Sequence, residues 1–273
     1  MKINDFFENI SLRLNELVEE VAEFIAIQNA QFDRKNIEHK GFNDLVSFVD
    51  KEAENRLIIR LKEIFPEAGF VTEEDKNNHL KTEKKYHWVI DPLDGTTNFV
   101  HQLPIFSISV ALLEHNSPVV GAVYEVNRKE CFSAWKGGGA YLNGKRIAVS
   151  PSKLLSESLL ATGFPYYDFE KMPQYLEILK DFMQKTHGLR RLGSAAVDLA
   201  YVACGRFEGF FEYNLNAWDV AAGVLLVQEA GGKTATFNGN TTFDGKTDCI
   251  FGREIIAAGA IFEQMQSVIS AKW

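Results

Sequence analysis

Apolar residues near the start of the chain recur at the three-and-four spacing of an amphipathic helix: Phe7, Ile10, Leu14, Leu17, Val21, Phe24 and Ile25 fall on one stripe. The pattern predicts a helix over 4–30. Gln31–Asn43 is polar and holds Gly41, which predicts a mobile loop, and Leu45–Val49 reads as a short extended piece. The stripe returns over Lys51–Phe65, with Leu57, Ile58, Leu61 and Ile64 inward and Pro66 as its stop. Gly69–Thr72 and His87–Ile90 are short β-like runs, each leading into an acid.

The middle of the chain is strand-rich. Ile105–Leu113 and Val119–Val126 flank the turn signal Asn116-Ser117-Pro118, and Glu130–Trp135 and Ala140–Val149 follow, the latter folded at Asn143-Gly144. Beyond it the two periods mix. Helices are expected over Pro173–Lys185, Ser194–Cys204, Asp219–Ala230 and Ala260–Ala271, and strands over Ser158–Thr162, Phe207–Tyr213, Lys233–Phe237 and Ile255–Ala258. Runs of each type without regular βα alternation favour a layered α+β fold over a doubly wound sheet. A soft boundary at Ser150–Pro151 separates an N-terminal half, about 1–150, from a C-terminal half, about 151–273, of a single domain.

Charge narrows the possible partners. Lys and Arg number 29 against 37 Asp and Glu, a net charge of −8. Nothing supplies the basic surface a polyanion requires, so no nucleic-acid partner is expected. The longest apolar or glycine stretches, Val220–Val227 and Ile255–Phe262, fall short of the ~18 residues of a membrane helix, so no membrane partner is expected. The opening MKINDFFENI carries acids early and does not read as a secretory leader. Cys131, Cys204 and Cys249 are too scattered for a disulfide framework or a zinc site. These features together predict a cytoplasmic protein.

The chemistry is concentrated in Trp88-Val89-Ile90-Asp91-Pro92-Leu93-Asp94-Gly95-Thr96-Thr97-Asn98-Phe99. An apolar strand runs into Asp91, and Pro92, which lacks an N–H, is expected to end it. Asp94-Gly95 then turns and Thr96-Thr97 opens a helical turn. Such a break aims two carboxylates and the Leu93 carbonyl into one volume, a hard-oxygen set suited to Mg²⁺, while the Gly95 and Thr96 amides are free to receive a phosphate oxygen. An Asp-Gly turn with a capping Asp is the plain structural alternative. Further acids close other apolar segments: Glu73 after Phe70-Val71-Thr72, Asp219 at the head of an apolar helix, where Asp also serves as an N-cap, and Asp50 after Phe48-Val49.

Taken together, DPLDGTTNF (91–99), TEED (72–75), DLVSFVD (44–50), GSAAVD (193–198) and WDVAAGVLLVQEAGG (218–232) resemble the inositol monophosphatase family of lithium-sensitive, Mg²⁺-dependent phosphatases, in consistent order over nearly the whole chain. The resemblance implies a layered αβαβα sandwich, a homodimer, and two to three Mg²⁺ ions held by Glu73, Asp91, Asp94, Asp219 and the Leu93 carbonyl. It implies that Thr96, with Glu73, orients the attacking water, that Asp50 hydrogen-bonds Thr96, and that the Gly95 and Thr96 amides hold phosphate. Asp219, Glu212, Ser194 and Ala195 fall at its substrate positions, Glu212 as the reader of ring hydroxyls, and Lys40 lies near a loop lysine of the family.

The implied reaction is hydrolysis of inositol 1-phosphate or a similar small sugar-alcohol phosphate by metal-activated water. A 3′(2′),5′-bisphosphate nucleotidase, a fructose-1,6-bisphosphatase or an NADP phosphatase would use the same metal site, and a non-catalytic protein-binding scaffold is an alternative of another class. Two signals are set aside. Gly139–Lys145 has the spacing GxxxxGK, but Arg146 and a β-like run follow, so a hairpin is expected. No two of the six histidines stand four apart as a ligand pair. Phe164-Pro165-Tyr166-Tyr167 reads as a packed loop, with a substrate-edge patch as the alternative.

Overall fold

The computed structural model describes residues 3–31, 42–73, 84–165 and 169–273. Helices α1 (Ile3–Ala30) and α2 (Phe42–Ile64) come first. A seven-stranded sheet follows, built in chain order from β1 (Gly69–Thr72), β2 (Tyr86–Asp94), β3 (Ser107–Glu114), β4 (Ser117–Glu125), β5 (Glu130–Trp135), β6 (Gly139–Leu142) and β7 (Lys145–Ile147). Only the β1–β2 pair of this sheet is parallel; the rest is an antiparallel meander. The short helix α3 (Thr96–His101) leaves the end of β2.

The second sheet has five strands in the order β11-β12-β10-β8-β9. These are β8 (Leu159–Thr162), β9 (Gly188–Arg190), β10 (Gly209–Tyr213), β11 (Lys233–Ala235) and β12 (Glu254–Ala258). Four helices join them: α4 (Met172–Lys185), α5 (Ala195–Ala203), α6 (Ala217–Glu229) and α7 (Phe262–Ser270).

Side-chain alternation shows how the layers stack, because successive residues of a strand face opposite ways. On β2, Trp88 and Ile90 pack with α1 and α2 (Leu14, Leu17, Val49, Leu57), whereas Val89 packs with α5 and α6. On β10, Phe210 faces the same middle helices while Phe211 faces α4 and α7 (Ile178, Phe182, Met265). On β12, Ile255 and Ala257 point to the middle, Ile256 and Ala258 outward. The order is therefore α1/α2, sheet, α5/α6, sheet, α4/α7, the αβαβα sandwich the resemblance implied. Both sheets are covered on both faces, which explains strands with few exposed positions.

Small residues let the middle layer sit close. A Cβ on Gly121 would lie 3.2 Å from the Ala222 Cα, and one on Gly223 would overlap Leu199, so α6 approaches both β4 and α5 through glycines.

Three expectations change. Leu45–Val49 is not extended: α2 begins at Phe42, since Val49, Ala53, Leu57 and Leu61 continue one buried helical stripe. Of the predicted loop Gln31–Asn43, 32–41 lie outside the described residues, and Phe42 and Asn43 belong to α2. Pro92 does not end its strand. β2 runs on to Asp94 through a bulge in which Asp91 pairs Ser109 and Asp94 pairs Ser107, so Pro92's missing N–H falls where the ladder is already interrupted. The hairpins are as expected, although the β3–β4 turn is made by His115-Asn116, both at positive φ, and Pro118 has already joined β4. Asn143-Gly144 turns between β6 and β7, which removes any nucleotide-loop reading of Gly139–Lys145. Among the described residues no helix is long and apolar enough to cross a membrane. The three cysteines are unpaired.

Candidate active site

The bulge sets the geometry of the site. Residues three apart on a regular strand point to opposite faces. Here the extra residue between Asp91 and Asp94 brings both carboxylates to the inner face, that of Val89. Their partners confirm the side: Ser109 donates through Oγ to the Trp218 carbonyl at the head of α6 (3.0 Å), and Ser107 meets Ser194 before α5 (3.1 Å). Within the bulge, the Leu93 amide donates to Asp91 Oδ1 (3.0 Å). Glu73 stands one residue beyond the β1 ladder, two after inward-facing Val71, so it shares that face and the register would continue it to Asp91.

The helix starts complete the cluster. Asp219 lies in the first turn of α6 and accepts the Asn216 amide (2.7 Å); it is not the N-cap, a place that Asn216 takes. Asp94 Oδ2 accepts from the Ser194 hydroxyl (2.6 Å) and the Ala196 amide (2.8 Å), so a strand carboxylate holds the start of α5. Asp91, Asp94 and Asp219 each offer an oxygen, and these atoms all lie within 4.8 Å of one another. Glu73 joins Asp94 and Asp219 in lining a cavity of about 230 Å³.

Crowding sets the electrostatics of the cluster. Burial pushes the Asp91 carboxyl well above the usual range, and the charges of Glu73, Asp94 and Asp219 push it further. Burial and Asp94 raise Asp219 to about 8 against the amide bond from Asn216. Burial raises Asp94 less, to about 6, because Ser194, the Ala196 amide and the Arg191 charge favour its ionised form. Crowded carboxylates that resist ionisation would be held in their charged form by a cation, and their oxygen-only donor set fits a hard divalent ion.

A pH effect follows. Carboxyls raised in the folded state hold protons that the unfolded chain releases, so their contribution to stability is full below about pH 4 and is lost as pH rises through about 8. In chelator, the melting temperature should be several degrees lower at pH 8.5 than at pH 6 from this source, and Mg²⁺ should raise it more at pH 8.5. Differential scanning calorimetry at the two pH values, with and without Mg²⁺, measures this; equal Mg²⁺ shifts would count against the socket.

Gly95, between Asp94 and Thr96, has φ +96° and is enclosed by the Ile105 and Gly193 carbonyls. Thr96 Oγ1 donates to the Leu93 carbonyl (3.0 Å). Asn98 Nδ2 ties α3 to the Ile105 (2.7 Å) and Leu192 (2.8 Å) carbonyls. Asp50 is buried on α2. Lys40, Glu74, Asp75, Tyr166 and Tyr167 lie outside the described residues.

The far wall comes from the second sheet. Glu212, two residues after inward-facing Phe210 on β10, lines the cavity with Ser194 and Ala195. Gly163 backs it so closely that a Cβ there would overlap the carboxylate. Phe164 is 44% exposed and lines the same cavity with Pro165, so this part of the aromatic run forms a pocket edge and not the packed loop expected. Sequence reasoning also missed Arg191 and Asp198, which line the cavity too. Asp198 closes the GSAAVD run, and its only signal was an acid on a helix otherwise made of Ala, Val, Leu and Tyr.

Comparison with known proteins agrees with this architecture. Residues 10–270 match the inositol monophosphatase family. The chain belongs to the inositol monophosphatase family. It is 37% identical to an inositol-1-monophosphatase of Mesorhizobium japonicum over 251 residues, 92% of this chain and 91% of the relative. It is 44% identical over 211 residues to a Salmonella typhimurium protein named Nus factor SuhB, covering 77% of this chain and 79% of that one. The inositol monophosphatase of Anabaena superposes with a TM-score of 0.82 at 31% identity, covering 98% and 97% of the two chains. The family thus includes relatives named inositol-1-monophosphatase and relatives named Nus factor SuhB.

Proposed function

We propose that this chain is a Mg²⁺-dependent phosphomonoesterase that hydrolyses inositol 1-phosphate or a similar small sugar-alcohol phosphate. The observation that carries the reading is the Asp91–Asp94–Asp219 cluster, three crowded carboxylates within 4.8 Å, two of which line a cavity of about 230 Å³. We assign ion binding to these three with Glu73 and the Leu93 carbonyl, for two to three ions. Bound Mg²⁺ supplies the positive field that draws a phosphate dianion into an acidic pocket and lowers the pKa of water.

The protein's own groups would divide the remaining work. The Thr96 hydroxyl has its proton engaged by Leu93, so its lone pairs face outward as an acceptor for the attacking water. Glu73 would take the water's other proton, and Asp50 would support Thr96. The Gly95 and Thr96 amides would hold a phosphate oxygen. Water oxygen bonds to phosphorus as the ester P–O bond breaks, and the departing alkoxide takes up a proton. Glu212, Ser194 and Ala195 would hold the alcohol, and Asp219 would serve both metal and substrate. The helix layer common to both sheets supports treating residues 1–273 as one catalytic domain. A cytoplasmic homodimer is the state the resemblance supports.

A phosphate-release panel tests the substrate. Inositol 1-phosphate should be turned over faster than a 3′,5′-bisphosphonucleoside, fructose 1,6-bisphosphate or NADP, with loss in chelator and inhibition by Li⁺. Faster release from the nucleotide would overturn the assignment. The name of the Salmonella relative favours a second reading, action as a Nus factor through a binding partner. The net charge of −8 supports a protein partner over nucleic acid.

A further inference from the structure

Asp198 is a buried acid without an evident structural reason. It sits on α5, one turn beyond Ser194, whose carbonyl accepts the Asp198 amide (3.0 Å). Only 1% of the residue is exposed, and its helix neighbours Val197, Leu199 and Ala200 are all core. Its Oδ1 has no hydrogen-bond partner. Burying a carboxylate that way costs several kcal/mol unless something compensates it. Yet Asp198 is not sealed in the core: it lines the cavity shared by Glu212, Ser194 and Asp94. Burial and the neighbouring charges of Glu212 and Asp94 hold its carboxyl well above the usual range.

We propose that Asp198 is a second hydroxyl acceptor at the alcohol end of the pocket, acting beside Glu212 to select a polyhydroxylated phosphate ester. The inference rests on the phosphatase reading for the orientation of the ester, with phosphate at the Asp91–Asp94–Asp219 end. A hydroxyl donating to Asp198 would favour its ionised form, which only accepts hydrogen bonds, and would satisfy the oxygen that has no partner. Hydroxyls suit the site better than an ammonium group, because the Arg191 charge already acts on both Asp198 and Glu212 and would repel a second cation. A site built to bond a hydroxyl rejects the analogue that lacks it, since its own polar group is then left unpaired. Glu212 comes from the second sheet and Asp198 from the helix layer, so together they address two positions of one ring.

The test compares myo-inositol 1-phosphate with cyclohexyl phosphate, the same ring without its hydroxyls. Each is added with Mg²⁺ to the wild type, Asp198→Asn and Asp198→Leu, and the ligand-induced change in melting temperature is read over a concentration series. The wild type should bind the inositol ester more tightly. Both variants should lose about 10- to 100-fold of that preference, the range for a hydrogen bond to a charged group. Their ligand-free melting temperatures should equal or exceed the wild type's, because a buried acid with an unsatisfied oxygen is gone. The proposal fails if the preference survives in both variants, if the wild type shows none, or if the ligand-free melting temperatures of both variants fall and binding of the two esters weakens in parallel. Phosphate release is measured in the same samples. Its absence in the wild type would overturn the phosphatase reading while the binding comparison still decides the role of Asp198.

Discussion

Asp91→Asn is expected to lose about a thousandfold or more in Mg²⁺-dependent phosphate release, the several kcal/mol of charge stabilisation at stake in a metal site, while folding at least as stably as the wild type. The two halves of that result have one cause. Asp91 is 2% exposed, crowded by Glu73, Asp94 and Asp219, and held by a bond from the Leu93 amide to Oδ1. An asparagine keeps that acceptor and removes a charge the folded state resists. Asp219→Asn should behave alike, since its carbonyl can still accept the Asn216 amide. Steady-state turnover from limiting to saturating Mg²⁺, with a chelator-treated melting curve, makes the comparison. Near-wild-type turnover at every Mg²⁺ concentration would remove these acids from the mechanism.

Gly95→Ala should damage both fold and turnover without altering any charge. At φ +96° an alanine is strained, and its Cβ would stand 3.1 Å from the Ile105 carbonyl oxygen and 3.2 Å from that of Gly193, both backbone atoms that cannot swing away. Strain of about 1–3 kcal/mol corresponds to a fall in melting temperature of about 2–5 °C for a chain of this size. Relief by displacement would move Asp94 and Thr96, which flank the glycine, and a shift near 1 Å there costs about a hundredfold in kcat/KM. If kcat/KM is unchanged, the Gly95 and Thr96 amides are not the phosphate cradle.

Much of this was legible in the chain. The three-and-four stripe of α1 and the turn signals that bound β3 to β7 survive, because an amphipathic helix advertises its buried side and Asn116 and Asn143-Gly144 mark the hairpins. The errors lie where that signal fails. Leu45–Val49 is too short to separate helix from strand by period, and its helical identity emerges only when Val49 is counted with Ala53 and Leu57. Pro92 was read by its usual effect on a ladder, whereas the bulge had already released the hydrogen bond it cannot make. The site acids at 91, 94 and 219 were visible as acids closing apolar runs. What local pattern could not show is their mutual distance, or that Asp94 also caps α5 across a hundred residues of chain. Asp198 was missed for a related reason: an acid inside an apolar helix signals only burial, and its direction depends on tertiary packing.

The middle helix layer has one more consequence. The clustered acids Asp91 and Asp94 hang from one sheet and Glu212 from the other, with α5 and α6 between. On the proposed reading, the thickness of that layer would set how far the phosphate end of the ester lies from its alcohol end. Gly121 against Ala222 and Gly223 against Leu199 are close approaches that hold the layer together. On that reading, bulkier residues there would push the two sheets apart and move the two ends of the site relative to each other without touching a site residue.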